Sequence, residues 1–309
     1  MNRQIGNRLQ RVEAPAAALD MRAKVALVTG ASDGVGRSVA AQLAATGAVT
    51  LITARNRAKG GRVRDEIVQT TGNKEVHVVD LDLAGLASVR QAAATVLDRW
   101  LRLDLLLCVA GYAGRGTRTE TADGFETTFG VNHLGHALLA RLLTDRLRAS
   151  APSRIVLVAS EAHRRVKGGL DFDDLMMAQG KFRPLLAYNR SKLANILYAR
   201  ELARRLAGTR VDVSAAHPGT VDTPMVQSMF DRPVLRHLYP VFRQGLISPD
   251  EAATGLLRVA LDSTLTGRTG LYYERGQLTE PGAVGLDDDA ARRLWSVTEE
   301  LIGLGAADR

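Results

Sequence analysis

The sequence predicts an α/β fold: a single domain with a doubly wound, seven-stranded parallel sheet. From about residue 24 onward, short β-branched runs alternate with longer amphipathic stretches, which is the pattern of β–α–β units. Runs such as Ile155–Val158 are apolar throughout, so we expect helices to cover both faces of the sheet. A chain of 309 residues, 46% of them hydrophobic, can build one compact core.

Seven runs are predicted as strands, and helices are expected between them. In chain order the strands are Val25–Thr29, Val49–Thr53, Val76–Val79, Leu105–Val109, Arg154–Ala159, Val211–Ala216 and Leu271–Tyr273. A helix is predicted over Tyr188–Leu206 from its apolar spacing, and another begins at a capping box formed by Ser248 and Glu251. We expect an N-terminal arm over residues 1–23 and a single folded domain over 24–309.

Two stretches interrupt this alternation, at about 164–187 and 224–247. The second is rich in large apolar residues, among them Met225, Met229 and Phe230. Long irregular segments in compact domains commonly serve as lids or binding loops. We therefore expect both stretches to be substrate loops and the substrate to be lipophilic.

The overall charge and the cysteine content restrict the class of protein. The net charge is +8, but its arginines are scattered and form no basic block flanked by aromatics, so nucleic acid is not the expected partner. The single cysteine, Cys108, excludes an intrachain disulfide and fits a reducing compartment. The first twenty residues contain no continuous apolar stretch, so we expect no signal peptide or membrane segment and a cytoplasmic location.

A glycine-rich turn follows the first predicted strand. Thr29 leads into Gly30, Ala31, Ser32, Asp33, Gly34, Val35 and Gly36, and a helical pattern starts near Arg37. Glycines at such a turn let backbone amides approach a pyrophosphate at the N-terminus of the helix. Its position between a strand and a helix predicts a dinucleotide site.

The end of the second strand indicates which dinucleotide is bound. NAD-specific sites place a carboxylate there for the ribose 2′-hydroxyl, whereas this chain has Arg55, Asn56 and Arg57. Arg55, together with Arg37, can meet a 2′-phosphate through charge-assisted hydrogen bonds. The sequence therefore predicts NADP(H), although a solvated arginine at a loop would look the same.

Candidate catalytic side chains occur at three further positions. Tyr188 and Lys192 stand at i and i+4 on a predicted helix, so they share a face, and a nearby ammonium favours the phenolate form of a tyrosine. Ser160 ends the fifth strand, at the edge where parallel sheets bind ligands. Asn132 lies in a predicted helix, for which asparagine has a poor propensity.

Together these motifs resemble the short-chain dehydrogenase/reductase family, and closely its retinol-dehydrogenase-like and WW-domain oxidoreductase-like branch. The resemblance covers roughly Lys24 to Leu304 and implies a Rossmann fold. It implies oxidoreduction between a carbonyl group and an alcohol. The motifs that carry it are Thr29–Gly36, Asp123–Glu126 with Asn132–His136, Ser160–His163, Tyr188–Asn195, His217–Gly219 and Asp289–Trp295.

The resemblance also implies roles for individual residues. Tyr188 would be the acid/base, Ser160 would orient the carbonyl, Lys192 would hold the nicotinamide ribose and tune Tyr188, and Asn132 would hold a relay water. Further cofactor contacts would be Asp82, Leu83, Ala110, Gly111, Pro218, Gly219, Val221 and Thr223. His163, Met225, Met229 and Phe230 are expected in the substrate pocket. Pairing through the helices that bear Asn132 and Tyr188 would give a homodimer or homotetramer.

One departure from the family pattern concerns the fourth strand. Where the family has Asn-Asn-Ala-Gly, this chain has Cys108, Val109, Ala110 and Gly111. The missing asparagines brace the sheet and the cofactor loop, so their loss bears on local stability and cofactor affinity more than on catalysis.

Two function classes other than oxidoreduction are compatible with parts of the sequence. An NADP-binding regulator without turnover remains the principal alternative, and a basic nucleic-acid binder is a weaker one. His133 and His136 have no third ligand at a recognisable spacing, so no metal is expected. Ser160 lacks the Gly-x-Ser-x-Gly elbow of a hydrolase nucleophile.

Overall fold

The sheet dominates the computed structural model, which describes residues 20–221 and 245–304. Its eight strands lie in the order β3-β2-β1-β4-β5-β6-β7-β8, and β1 to β7 pair in parallel. They are β1 Val25–Val28, β2 Val49–Ala54, β3 Val76–Asp80, β4 Leu105–Cys108, β5 Ser153–Val158, β6 Val211–His217, β7 Leu271–Glu274 and β8 Gln277–Leu278. The order reverses between β1 and β4, which places a ligand crevice at the carboxyl ends of those strands.

The predicted number of seven strands is wrong by one, because β8 adds an antiparallel edge strand. Arg275 and Gly276 form the two-residue turn, with φ of 50° and 76°. Positive φ at both central residues is the requirement of a type I′ hairpin turn. Gln277 and Leu278 are both exposed, so no apolar run announces this strand in the sequence.

Helices cover both faces of the sheet, as predicted. They are α1 Gly34–Ala45, α2 Arg57–Thr71, α3 Leu86–Arg99, α4 Thr127–Phe129, α5 Gly135–Ala149, α6 Pro184–Arg205, α7 Pro249–Leu261 and α8 Asp288–Leu301. Alternate residues of β1 enter different cores: Val25 and Leu27 face the side of α3, α5, α6 and α8, and Ala26 and Val28 face the side of α1, α2 and α7. This period of two explains why the strands are apolar throughout.

The starts of three helices follow from their caps. Asp33 accepts a hydrogen bond from the Gly34 amide, so α1 begins there and not near Arg37 as predicted. Pro184 occupies the first position of α6, so the irregular segment expected to run to 187 ends at 183. Ser248 and Glu251 form the predicted capping box of α7.

The C-terminal helix α8 packs across α5 and α6. Trp295 stacks on Tyr198 of α6, with ring centroids 5.2 Å apart. Arg141 of α5 makes two parallel hydrogen bonds to Glu299, at 2.9 and 3.0 Å. Helix α8 thus covers part of the surface of α5 and α6. This is the surface at which pairing with a second copy of the chain is expected.

Several predicted features lie outside the described residues: most of the N-terminal arm, most of the stretch 224–247, and Thr223, Met225, Met229 and Phe230. At the end of the arm, the Met21 amide already donates to the Thr46 carbonyl of the domain. Of the helices that the structure describes, none is both long and apolar enough to span a bilayer.

Candidate active site at the carboxyl edge of the sheet

The glycine turn is packed backbone against backbone. Gly30 and Gly34 adopt φ of 68° and 48°, which side chains disfavour. A Cβ on Gly30 would lie 2.7 Å from Cα of Ala110, and one on Gly36 would collide with the Gly30 carbonyl. The structure therefore brings the predicted Ala110 loop against the turn, at the N-terminus of α1. This tight cradle with free helix amides fits a pyrophosphate.

The end of β2 presents a positive charge beside this turn. Arg55 is exposed, and no hydrogen bond or ion pair joins it to another residue within 20–221 or 245–304. Arg37, by contrast, pairs with Glu66 at 2.7 Å, and Asn56 caps α2 by accepting from the Lys59 amide. Arg55 is therefore the more available of the two arginines predicted to meet a 2′-phosphate.

The predicted adenine flank, Asp82 and Leu83, lies in the loop that follows β3. The Asp82 carboxylate accepts from the Ala84 amide at 3.0 Å and so shapes this loop. A Cβ on Gly135, at the start of α5, would lie 2.6 Å from the Leu83 carbonyl oxygen. The loop therefore rests directly on the helix that follows Asn132.

Ser160, Tyr188 and Lys192 meet at the carboxyl edge of β5. Tyr188 is half-buried, and its phenol is near enough to the Ser160 side chain for the serine to lower its pKa. Lys192 is buried, with Nζ 5.6 Å from the centroid of the Tyr188 ring, and it donates to the Val158 carbonyl at 3.0 Å. The predicted i, i+4 pair is thus assembled beside the predicted serine.

Burial governs the protonation of this group. It raises the pKa of Tyr188, and the Ser160 side chain opposes this rise. It lowers the pKa of the Lys192 ammonium to about 8. Lys192 is not close enough to offset the burial of Tyr188, so the lowered tyrosine pKa expected from the sequence is absent from the protein alone.

Asn132 lies in a π-helical turn, Gly130–Leu134, between α4 and α5. Such turns are wider than an α-helical turn and often occur at functional sites. The Oδ1 atom of Asn132 accepts a hydrogen bond from the Tyr112 amide at 2.7 Å. Its Nδ2 atom donates to the Tyr112 carbonyl and to Ser191 Oγ, both at 2.9 Å. All side-chain bonds of this asparagine are therefore to protein groups.

A threonine–histidine pair braces the strand end at which the family asparagines are missing. Thr29 Oγ1 accepts from the Ala110 amide at 3.0 Å and contacts His136 Nε2 at 2.9 Å. His136 Nδ1 must carry a proton, because its partner is the Asn132 carbonyl, at 3.1 Å. Nε2 of this buried, neutral ring therefore accepts from Thr29. No local sequence pattern predicts this link.

His163 lies behind Ser160 and is fully buried, so it is not on the rim of the pocket. Its Nε2 accepts from the Gly282 amide at 2.9 Å, which places the proton on Nδ1, 2.6 Å from the Ser160 carbonyl. His163 thereby ties the serine loop to the C-terminal segment.

The loop after β6 carries three of the predicted cofactor contacts, Pro218, Gly219 and Val221. Gly219 has φ of 106°, and a Cβ there would lie 2.7 Å from Cδ1 of Ile247. Val221 pairs with Ile247 in an isolated bridge, and Pro218 precedes this close contact. Val221 and Ile247, which flank the residues that the structure does not describe, therefore lie side by side at this edge of the sheet.

The sequence analysis did not predict one cluster of possible metal ligands, formed by Glu161, His217 and Glu274. Their donor atoms lie within 4.8 Å of one another, an arrangement that could hold a metal ion. Arg164 and Arg275 are near enough to lower the pKa of His217 further, after burial and Lys192. This positive surrounding disfavours a cation. His133 and His136 are engaged in other hydrogen bonds.

A cavity of about 450 Å³ lies elsewhere, between α6, β7 and the segment 278–286. Its lining includes Ile196, Tyr272 and Leu278, and it contains none of the predicted site residues. We therefore do not assign the substrate to this cavity.

Comparisons with known proteins agree with this architecture. Residues 24–170 match the family model of the short chain dehydrogenases. The chain is 39% identical to human retinol dehydrogenase 13 over 289 residues, which are 92% of this chain and 86% of that protein.

Two solved structures are similar throughout. An uncharacterised protein from Mycobacterium paratuberculosis is 31% identical, with a TM-score of 0.71 over 93% of this chain and 97% of its own. The 3-ketoacyl-(acyl-carrier-protein) reductase from Brucella melitensis, complexed with NADH, is 26% identical, with a TM-score of 0.64 over 82% and 97%. The chain belongs to the short-chain dehydrogenase/reductase family, in its retinol dehydrogenase-like branch, and is an alcohol/carbonyl oxidoreductase.

Proposed function

We propose that the chain is an NADP(H)-dependent oxidoreductase that interconverts a lipophilic ketone or aldehyde and its alcohol, with Tyr188 as the acid/base. The observation that carries this proposal is the grouping of Ser160, Tyr188 and Lys192: the serine acts on the pKa of the Tyr188 phenol, and Lys192 Nζ lies 5.6 Å from the Tyr188 ring. A protein that only binds a nucleotide has no evident need for this group at the ligand edge of the sheet.

Each residue has a distinct task in reduction. The cofactor, when bound, supplies a hydride to the carbonyl carbon. Ser160 holds the carbonyl oxygen, and Tyr188 donates its proton to the alkoxide that develops there. A tyrosine with a raised pKa is fully protonated at neutral pH, which suits the acid role. In the oxidation direction the same residue must lose its proton, and Lys192 favours that loss.

Lys192 and Asn132 would complete the proton path. Lys192 has one donor on the Val158 carbonyl and retains others for a ribose hydroxyl. The relay water that the family resemblance implies for Asn132 would have to donate to an oxygen of this residue, because both protons of the side-chain amide are already donated to Tyr112 and Ser191. The backbone carbonyl of Asn132 accepts from His136 and has a second lone pair.

Arg55 supports NADP(H) over NAD(H). It is exposed, without a partner among the described residues, at the strand end where NAD-specific sites place a carboxylate. The Brucella reductase holds NADH, so the neighbours do not decide the nucleotide, and the choice depends on this arginine.

The lipophilic substrate is inferred from two sources. The first is the sequence of the stretch 224–247, which is rich in apolar side chains and of which the structure describes only the last three residues. The second is the set of similar proteins that are named retinol dehydrogenases. We accordingly include retinal among the candidate aldehydes.

A cytoplasmic location is proposed on the single cysteine, which is buried and unpaired.

A homodimer or homotetramer remains part of the proposal, with a restriction on the interface. Because α8 already packs on α5 and α6, a partner copy would meet α8 and not the bare pair of helices. Sedimentation of the purified chain measures this association.

Turnover by matched variants tests the proposal. NADPH and NADH oxidation is followed with a panel of ketones and aldehydes, retinal included, for wild type, Tyr188→Phe and Arg55→Ala. We expect NADPH to be preferred, Tyr188→Phe to lose about 100-fold or more in kcat, and Arg55→Ala to raise KM for NADPH about tenfold while leaving NADH unchanged. Binding of NADPH without turnover of any compound would favour the regulatory alternative.

A further inference from the structure

Three buried polar residues form a row that leads from the C-terminal helix towards the active site. Thr298 lies on α8, His133 in the π-helical turn beside Asn132, and Asn195 on α6, one turn after Lys192. Their exposed fractions are 0%, 0% and 1%. Buried polar groups cost free energy unless they are hydrogen-bonded, so this row requires a full set of partners.

The hydrogen bonds of the row fix every proton in it. Asn195 Nδ2 donates to the Val158 carbonyl at 3.1 Å, so its Oδ1 faces His133 Nδ1, 3.3 Å away. His133 must therefore donate from Nδ1, which leaves Nε2 as the acceptor for the Thr298 hydroxyl at 2.9 Å. Burial lowers the pKa of His133 to about 3, in agreement with a neutral ring.

The row ends on the Val158 carbonyl oxygen, which also accepts a hydrogen bond from Lys192. The Val158 carbonyl accepts from Asn195 Nδ2 and from Lys192 Nζ, at 3.1 and 3.0 Å. Val158 is also the last residue of β5, two residues before Ser160. A displacement of Asn195 would therefore alter both the acceptor of Lys192 and the strand end that carries Ser160.

Aromatic packing keeps the His133 ring in one orientation. The ring lies 5.0 Å from Phe129 and meets the edge of Tyr198 at 5.4 Å, between centroids. Tyr198 in turn stacks on Trp295 of α8. Helix α8 thus contacts the histidine directly, by the hydrogen bond from Thr298, and indirectly, through Trp295 stacked on Tyr198 of α6.

We propose that His133 is a positioning residue that couples the docking of α8 to the placement of Lys192, through Asn195 and the Val158 carbonyl. This rests on the proposed role of Lys192 at the nicotinamide end of the site. The residues that carry the coupling touch neither substrate nor cofactor, and their effect is through the geometry of Lys192.

The kinetic test changes one hydroxyl on α8. Thr298→Val keeps the shape of the side chain and removes the donor to His133, whereas Thr298→Ser keeps the donor. Thr144→Val is the matched control, since Thr144 is buried on α5 and, among the residues that the structure describes, its hydroxyl bonds only the Ala140 carbonyl of its own helix. We expect kcat to fall about tenfold in Thr298→Val and to stay within about twofold of wild type in the other two. Equal kcat in the two valine variants would overturn the coupling.

A second measurement needs no turnover. Lysine side-chain NMR of the protein without nucleotide reports the surroundings of Lys192, with its resonance assigned from Lys192→Met. We expect this resonance to shift in Thr298→Val and not in Thr144→Val or Thr298→Ser, and an unshifted resonance in Thr298→Val would refute the proposal. If the resonance shifts but wild type turns over no carbonyl compound, the proposed function fails and the coupling stands.

Discussion

Replacing Lys192 by methionine should stabilise the protein while removing its activity. The ammonium is 2% exposed, and burial lowers its pKa from 10.5 to about 8. This difference corresponds to roughly 3 kcal/mol of unfavourable free energy at pH 7. Loss of the charged hydrogen bond to Val158 offsets about 1.5 kcal/mol. That carbonyl keeps Asn195 as a donor and is not left unpaired. The net expectation is a gain of about 1–2 kcal/mol.

The pH dependence identifies the cause of this gain. The folded-state pKa is depressed, so between about pH 8 and 10.5 the unfolded state binds more protons than the folded state. In that window the stability contribution of Lys192 rises with pH, and its penalty is complete below about pH 8. The difference between variant and wild type should therefore shrink as the pH approaches 10.5.

Urea unfolding without nucleotide, at several values from pH 7 to 9.5, measures both quantities. Lys74→Met is the control, because Lys74 is exposed and should change little at any pH. A Lys192→Met protein less stable than wild type at pH 7, or a stability difference that does not vary with pH, would refute the reasoning.

Three further outcomes follow from buried groups. Burial lowers the pKa of His133 to about 3 and of His136 to about 4, so their contribution to stability should be complete above pH 6.5. It should decrease steadily as the pH falls from 6.5 towards these values, which unfolding free energies measured from pH 7 to 4 would show, and an unchanged stability over that range would contradict it. Trp295→Ala should cost about 3–5 kcal/mol in urea unfolding, because it removes the buried ring that stacks on Tyr198; a loss below about 1 kcal/mol would contradict this packing. Burial raises the pKa of Cys108 to about 12, so a disulfide reagent should leave the folded protein unmodified at pH 8 and label it in urea.

The strands and the glycine turn were predictable because their signals are local. A fully apolar run such as Val25–Val28 specifies a strand buried on both faces, and Gly30 is required by a close backbone contact. The edge strand β8 was not predictable, since its two residues are exposed and its turn places a non-glycine residue, Arg275, at positive φ.

The proximity of the proposed catalytic residues was predictable from spacing, but the residues that support them were not. Tyr188 and Lys192 are one helical turn apart, so their proximity follows from the helix itself. His133 and Thr298 are separated by 165 positions, and His163 reaches an amide 119 positions away. No local pattern predicts which partner a buried histidine meets across such distances, because only the packing of α8 and the C-terminal segment brings them together.

The most direct test of the account is the transfer of a labelled hydride. NADPH deuterated at the nicotinamide C4, on each face in turn, is incubated with the chain and a lipophilic aldehyde, and the alcohol is analysed by mass spectrometry. The account predicts a single deuterium on the carbinol carbon from one face only, and a loss of product in Tyr188→Phe. An alcohol without the label from either face, or nucleotide binding with no alcohol from any aldehyde or ketone offered, would contradict it.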